Sequence, residues 1–199
     1  MKCRTDVIPR PSKSHGFNLL ELMVTVTIAT IIAMIALPSF SFILQNVRLK
    51  MQIYDFNGAL DFARSEAVKQ GTWVTVCASA DQAACGPNGT QWESGWMVFV
   101  DPNNNHVLDV GEAAPLRATS ALISTYTLRA TSATTLATYI TFNAKGTSSA
   151  SGQFVLCQNG QINPSRAVLI GTSGRVTSAQ DHNGVPMNSA GTDMTTCTP

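Results

Sequence analysis

The sequence predicts an α+β chain: a long amino-terminal α-helix, membrane-spanning in its first half and amphipathic in its second, packed on an antiparallel β-sheet head. Three observations lead there. Residues 17–37, FNLLELMVTVTIATIIAMIAL, carry one charge in 21 positions, enough to cross about 30 Å of hydrocarbon as a helix. Beyond Pro38, Ile53, Phe56, Leu60, Ala63 and Ala67 recur at steps of three and four, the spacing of one buried helix face. After Gly71 the pattern changes to short β-type runs separated by turn residues.

Four lysines and arginines in residues 1–16 flank the apolar run on its amino side. They orient that end to the cytoplasm and everything after the run to the far side. An ordinary secretory signal would place a small-residue cleavage site after the apolar core; Ala36-Leu37-Pro38 is a poor one. The run therefore reads as a retained membrane segment, residues 17–38. Glu21 is the anomaly within it, because a carboxylate at mid-membrane costs about 2.5–3.5 kcal/mol and calls for a partner.

Pro38 removes one backbone donor and bends a helix without necessarily ending it. Residues 39–71 are read as the amphipathic continuation. Gly71 is the expected stop, just after Lys69, whose charge suits a helix carboxyl end.

The head, residues 72–199, is expected to hold strands at 73–76, 96–100, 139–142, 154–156 and 167–170, forming an antiparallel sheet over the helix. The Ser/Thr/Ala-rich stretches 118–138 and 147–153, and the tail from 177, read as loops or exposed edge strands. Trp73, Trp92 and Trp96 are assigned to the core. Arg64 and Glu66, two apart on a helix, do not face each other and are assigned to solvent or an intersubunit contact.

Charge and cysteine usage narrow the function. Four of the 13 basic and one of the 12 acidic residues precede Phe17. The remainder therefore holds nine basic and eleven acidic side chains, a net −2 that argues against wholesale attraction to nucleic acid. Of five cysteines, Cys3 lies in the first 16 residues, leaving Cys77, Cys85, Cys157 and Cys197 as an even set. That parity fits a compartment where disulfides persist. Of the three possible connectivities, short separation favours Cys77–Cys85 and, by elimination, Cys157–Cys197. No phosphate-cradling loop, H-E-x-x-H or nucleophile elbow occurs, and only His106 and His182 come after residue 16, so catalysis is not expected.

The residues Gly16-Phe17-Asn18-Leu19-Leu20-Glu21-Leu22 resemble the G-F-x-L-[IL]-E-[LV] signature of prepilins. The resemblance implies the pilin fold and a leader, residues 1–16, removed after Gly16 by a prepilin peptidase that also N-methylates Phe17. It further implies that Glu21 acts in assembly. Residues 57–77, and Trp92 to Asn103 followed by Asp109-Val110-Gly111-Glu112, resemble the GspH/FimT group of minor pilins and pseudopilins. The function this resemblance implies is that of a minor pilin of a type IV pilus or, alternatively, a minor pseudopilin of type II secretion. Its partners would be other pilins, an inner-membrane assembly platform and, before assembly, lipid.

Two further sites are expectations. Asp101, Asn103, Asn105, Val107, Asp109 and Glu112 reproduce the 1, 3, 5, 7, 9, 12 oxygen-ligand spacing of a calcium loop, with His106 in place of the glycine at position six. Asp and Asn at such density also build turns by bonding their own backbone. Gly174-Arg175-Val176-Thr177 resembles the G-R-x-R element of DNA-binding minor pilins used in natural transformation, with Thr177 replacing the second arginine. With Arg166 and Lys145 it would neutralise about three phosphates, giving weak, salt-sensitive binding.

Overall fold

A computed structural model describes residue 16 and residues 18–86, 91–130 and 136–197. It divides into two compact units, residues 1–44 and 45–199.

One α-helix, α1 (Leu19–Gln70), runs from the first unit into the second. Asn18 begins it: its side-chain oxygen accepts the Leu20 N–H and its carbonyl accepts the Leu22 N–H, the work of an N-cap. Within the apolar stretch, the hydroxyls of Thr25, Thr27 and Thr30 donate to the carbonyls of Leu22, Val24 and Val26 at 2.7–2.9 Å. Each threonine is thus satisfied inside the helix, which hydrocarbon surroundings require.

In the second unit α1 buries Leu49, Ile53, Phe56, Ala59, Leu60, Ala63 and Ala67, the stripe expected from the sequence. The large residues come first and the alanines last. Phe56 stands edge-on to Trp92, Trp96 and Phe154 at centroid distances of 4.9–5.5 Å. The helix ends as expected. Gly71 takes φ +67° and donates, with Thr72, to the Ala67 carbonyl, a left-handed turn that glycine adopts without a Cβ penalty.

The head holds two four-stranded antiparallel sheets where the sequence pattern predicts one. The first has the order β3-β2-β1-β5, from β1 (Val74–Ala78), β2 (Trp96–Val100), β3 (Arg117–Thr119) and β5 (Tyr139–Phe142). The second has the order β4-β6-β7-β8, from β4 (Tyr126–Ala130), β6 (Gly152–Gln158), β7 (Gln161–Ile170) and β8 (Val176–Ser178). A hairpin of β9 (Asp181–His182) and β10 (Val185–Pro186) comes next.

Both sheets are covered on both faces. Val74, Val76 and Val98 of the first sheet, and Phe154, Leu156, Val168 and Ile170 of the second, join the helix stripe in the main core. On its other face the first sheet packs Cys77, Met97, Phe99 and Tyr139 against Leu108 and Cys85. The second sheet turns Val155, Cys157 and Ala167 outward beneath Met194 and Cys197 of the tail. Trp92 and Trp96 are fully buried; Trp73 is half-buried, short of the core position expected for it.

Disulfides join Cys77 to Cys85 and Cys157 to Cys197. The short loop between the first pair is tied by Asp81, whose carboxylate accepts the Ala83 and Ala84 N–H groups and the Ser79 hydroxyl. Those bonds hold its carboxyl below the usual carboxylate range.

Candidate functional site

Three places carry the chemistry read from the sequence. At the amino end, Gly16 and Asn18 are exposed, while Phe17 and residues 1–15 lie outside the described residues. Glu21 sits in the first turn of α1, where the positive end of the helix dipole favours a carboxylate. Residues Leu19–Ala36 are long and apolar enough to span a membrane, and within the chain none of them is buried. Leu19, Leu20, Met23, Ile31 and Ile35 are among the side chains left uncovered. An apolar surface of this extent needs a cover that the described residues do not supply, such as lipid or the helices of other subunits.

The Asp101–Glu112 loop is a network of turns. Asp101 is fully buried and accepts the Thr75 hydroxyl at 2.7 Å and the Asn105 and His106 N–H groups at 3.0 Å each. Asp109 accepts the side-chain amides of Asn103 and Asn105, both at 2.8 Å. Asn105 accepts the Val107 N–H, and Glu112 accepts the Asp109 N–H. His106, at the position where a calcium loop has glycine, adopts φ +65° and stacks its ring on Tyr139 at 3.7 Å. Among the described residues no group of three or more His, Cys, Asp or Glu side chains is placed to hold a metal ion. A cation here would have to displace these N–H donors; the loop as it stands roofs the outer face of the first sheet.

At the carboxyl corner, the turn Gly171–Arg175 joins β7 to β8, with Gly174 N–H donating to Gly171 and Gly171 N–H donating to Arg175. Gly174 has φ +72°, and a Cβ there would run into the Gly146 carbonyl. Glycine is therefore required twice over, by conformation and by space.

Arg64 organises this corner, which corrects its assignment to solvent or an intersubunit contact. Its Nε donates to the Gly146 carbonyl at 2.9 Å and its Nη2 to the Ser173 carbonyl at 3.1 Å. Those partners lie 82 and 109 residues away, so helix spacing could not reveal them. Glu66 instead accepts Gln70 and Lys69 on the helix surface, and these bonds lower its carboxyl. Replacing Arg64 by alanine is expected to destabilise the chain by about 2 kcal/mol, from two bonds with a charged donor. Hydrogen exchange at the Gly174 amide should speed up with it, and unchanged exchange there would count against the role.

The basic residues grouped with the G-R-x-T element do not all converge. Arg175 is exposed, and Lys145 sits in the neighbouring turn that approaches Gly174. Arg166, however, pairs with Asp181 at 2.9 Å and lies five ladder positions back along β7 from the Gly171 end, about 17 Å at strand rise. The structure does not bring Arg166 and Arg175 together.

The sequence profile of the family described as Type II transport protein GspH matches residues 52–174, from the amphipathic half of α1 through both sheets to the Gly174 turn. The chain belongs to the GspH family. Two crystal structures of the type IV minor pilin FimU of Pseudomonas aeruginosa (strain PAO1) share its fold. One is 25% identical, covering 77% of this chain and 97% of that one, with a TM-score of 0.55. The other is 26% identical, covering 75% and 99%, with a TM-score of 0.53. No curated protein matches the chain in sequence. The fold is that of pilins, and the family is one of structural subunits that associate with other pilins in a filament.

Proposed function

We propose that this GspH-family chain is a minor pilin of a type IV pilus, a structural subunit that promotes filament assembly. It is made as a prepilin, cut after Gly16 by the prepilin peptidase and N-methylated on Phe17. It then waits in the inner membrane with its head in the periplasm until the assembly platform feeds it into a filament. The observation that carries this reading is the uncovered apolar helix with Glu21 in its first turn, joined to a head of the FimU fold.

Mass spectrometry of sheared filaments tests it. The chain is expected among the filament proteins, beginning at N-methyl-Phe17 and lacking Cys3, and substitution of Gly16 by a bulky residue is expected to block the cut. An intact leader on filament-bound protein would count against the reading.

The description of the matched family favours a second reading, a minor pseudopilin of type II secretion. Deleting the gene separates the two. Loss of surface filaments with normal secretion supports the pilus, and the reverse supports the pseudopilus.

A further inference from the structure

The edge of the second sheet at β8 has main-chain groups to spare. In the β7–β8 ladder, Ile170 faces Val176, Leu169 faces Thr177 and Val168 faces Ser178. Gly171 N–H donates to the Arg175 carbonyl and Ala179 N–H to the Ala167 carbonyl. Antiparallel pairs alternate between hydrogen-bonded and non-bonded. Arg175, Thr177 and Ala179 therefore spend their main-chain groups on β7, while Val176 and Ser178 point theirs away from it. Among the described residues, neither Val176 nor Ser178 makes a backbone hydrogen bond on that side.

Proline, lysine and bulges are the usual devices that blunt such an edge. β8 has none of them. The opposite edge of the other sheet shows the contrast, since β5 is capped by Ser148 and Ser149, which bridge back to Phe142 and Thr141.

The side chains beside this edge specify what would suit it. Arg175 is exposed, and among the described residues it has no ion-pair partner. With Thr177 it faces a hollow of about 700 Å³ on the outer face of the sheet, lined also by Ser151, Leu169, Ser173 and Ser189. A second hollow of about 370 Å³ continues it past Ser178, and shares Leu169, Thr177 and Ser189. A strand laid against β8 would place alternate side chains beside Arg175 and Thr177, at cross-strand distance.

We propose that the β8 edge accepts an extended segment of a different filament subunit as an added strand, with a carboxylate on that segment paired to Arg175. Main-chain bonds to Val176 and Ser178 supply attachment, and the carboxylate sets register, as in other strand-addition complexes. A second copy of this chain, pairing edge to edge, is disfavoured: β8 and its flanks from Arg175 to Gln180 contain no acid to meet the guanidinium. The inference rests on the filament-subunit reading proposed for the chain.

The test places a photo-crosslinking residue at Ser178 in the full chain in cells and maps the product from sheared filaments. The expected product joins Ser178 to an acid-bearing extended segment of another pilin-like subunit. Arg175→Glu is expected to cut its yield about tenfold, the factor corresponding to about 1.4 kcal/mol, and exchanging the mapped acid for lysine is expected to restore it.

Ser178→Pro removes an outward-facing N–H that β7 does not use, so it is expected to lose the contact, measured from a crosslinker at Ser189, while both disulfides still form. Normal incorporation into filaments with no crosslink, a crosslink to a helix surface, or a crosslink to DNA would each overturn the inference and leave the filament reading standing. Absence of the chain from filaments would overturn both.

Discussion

Glu21→Gln and Glu21→Ala are each expected to reach normal membrane levels and to be cleaved normally, yet to be depleted more than tenfold from sheared filaments. The glutamate lies in the first turn of a helix whose next turns are uncovered and apolar. An acid at mid-membrane is a liability of about 2.5–3.5 kcal/mol, and less toward a helix end, so its removal should not hinder insertion. Its use must come later. The proposal, drawn from the resemblance to prepilins, is that in a filament core it meets the amine of a neighbour's first residue. Breaking a buried ion pair by removing one partner costs about 3–5 kcal/mol, because the other charge is left uncompensated. Such a loss falls on docking and spares insertion, and glutamine, which keeps the volume, isolates the charge. Wild-type incorporation of both variants would show the carboxylate to be dispensable.

Glu21 stands out in the sequence because it is a single charge in an apolar run. The same reasoning from contrast locates the helix stripe and its Gly71 stop, and it finds the strands β1, β2, β5, β6 and β7, where β-branched and aromatic residues cluster between turn residues. It leaves β4 undecided: Tyr126, Leu128 and Ala130 alternate inward with the period of a strand at the edge of the second sheet, but they lie in a Ser/Thr/Ala-rich stretch whose composition suits a loop or an edge strand alike. Without β4 and β8 the second sheet has too few strands to be seen as separate, which is why the pattern predicts one sheet. Arg64 escapes for another reason. Its carbonyl partners are main-chain groups brought near by the sheets, and a carbonyl has no signature in sequence.

The calcium-like spacing is a pattern with two physical uses. Oxygen side chains at alternate positions can converge on a cation or accept N–H groups of their own turn. In this loop they do the second, and the buried Asp101 ties the turn to Thr75 of β1.

Removing the Cys157–Cys197 bridge by a double substitution to alanine is expected to lower stability by about 4 kcal/mol and to release the tail. Cross-linking two residues 40 apart restricts the unfolded chain by about that amount, whereas the separation of eight between Cys77 and Cys85 yields about 2.6 kcal/mol. The folded state adds to the asymmetry. The Cys77–Cys85 loop keeps the Asp81 and Ser79 bonds when its bridge is cut. Among the described residues, the tail beyond Pro186 is otherwise held by two buried apolar side chains, Met194 and Cys197, by the Met187–Gln180 and Met194–Pro186 backbone bonds, and by an exposed His182–Asp193 contact at 3.1 Å. Without the bridge it should lift from Val155 and Ala167, exposing apolar surface on the outer face of the second sheet. It would also remove the Met187–Gly191 bank of the hollow beside β8. Hydrogen exchange is therefore expected to show fast amides over residues 187–197 in the variant, with the β6–β7 ladder still protected, and denaturant unfolding to show the lost stability. Tail amides as slow as in the parent would mean that the bridge does not order it.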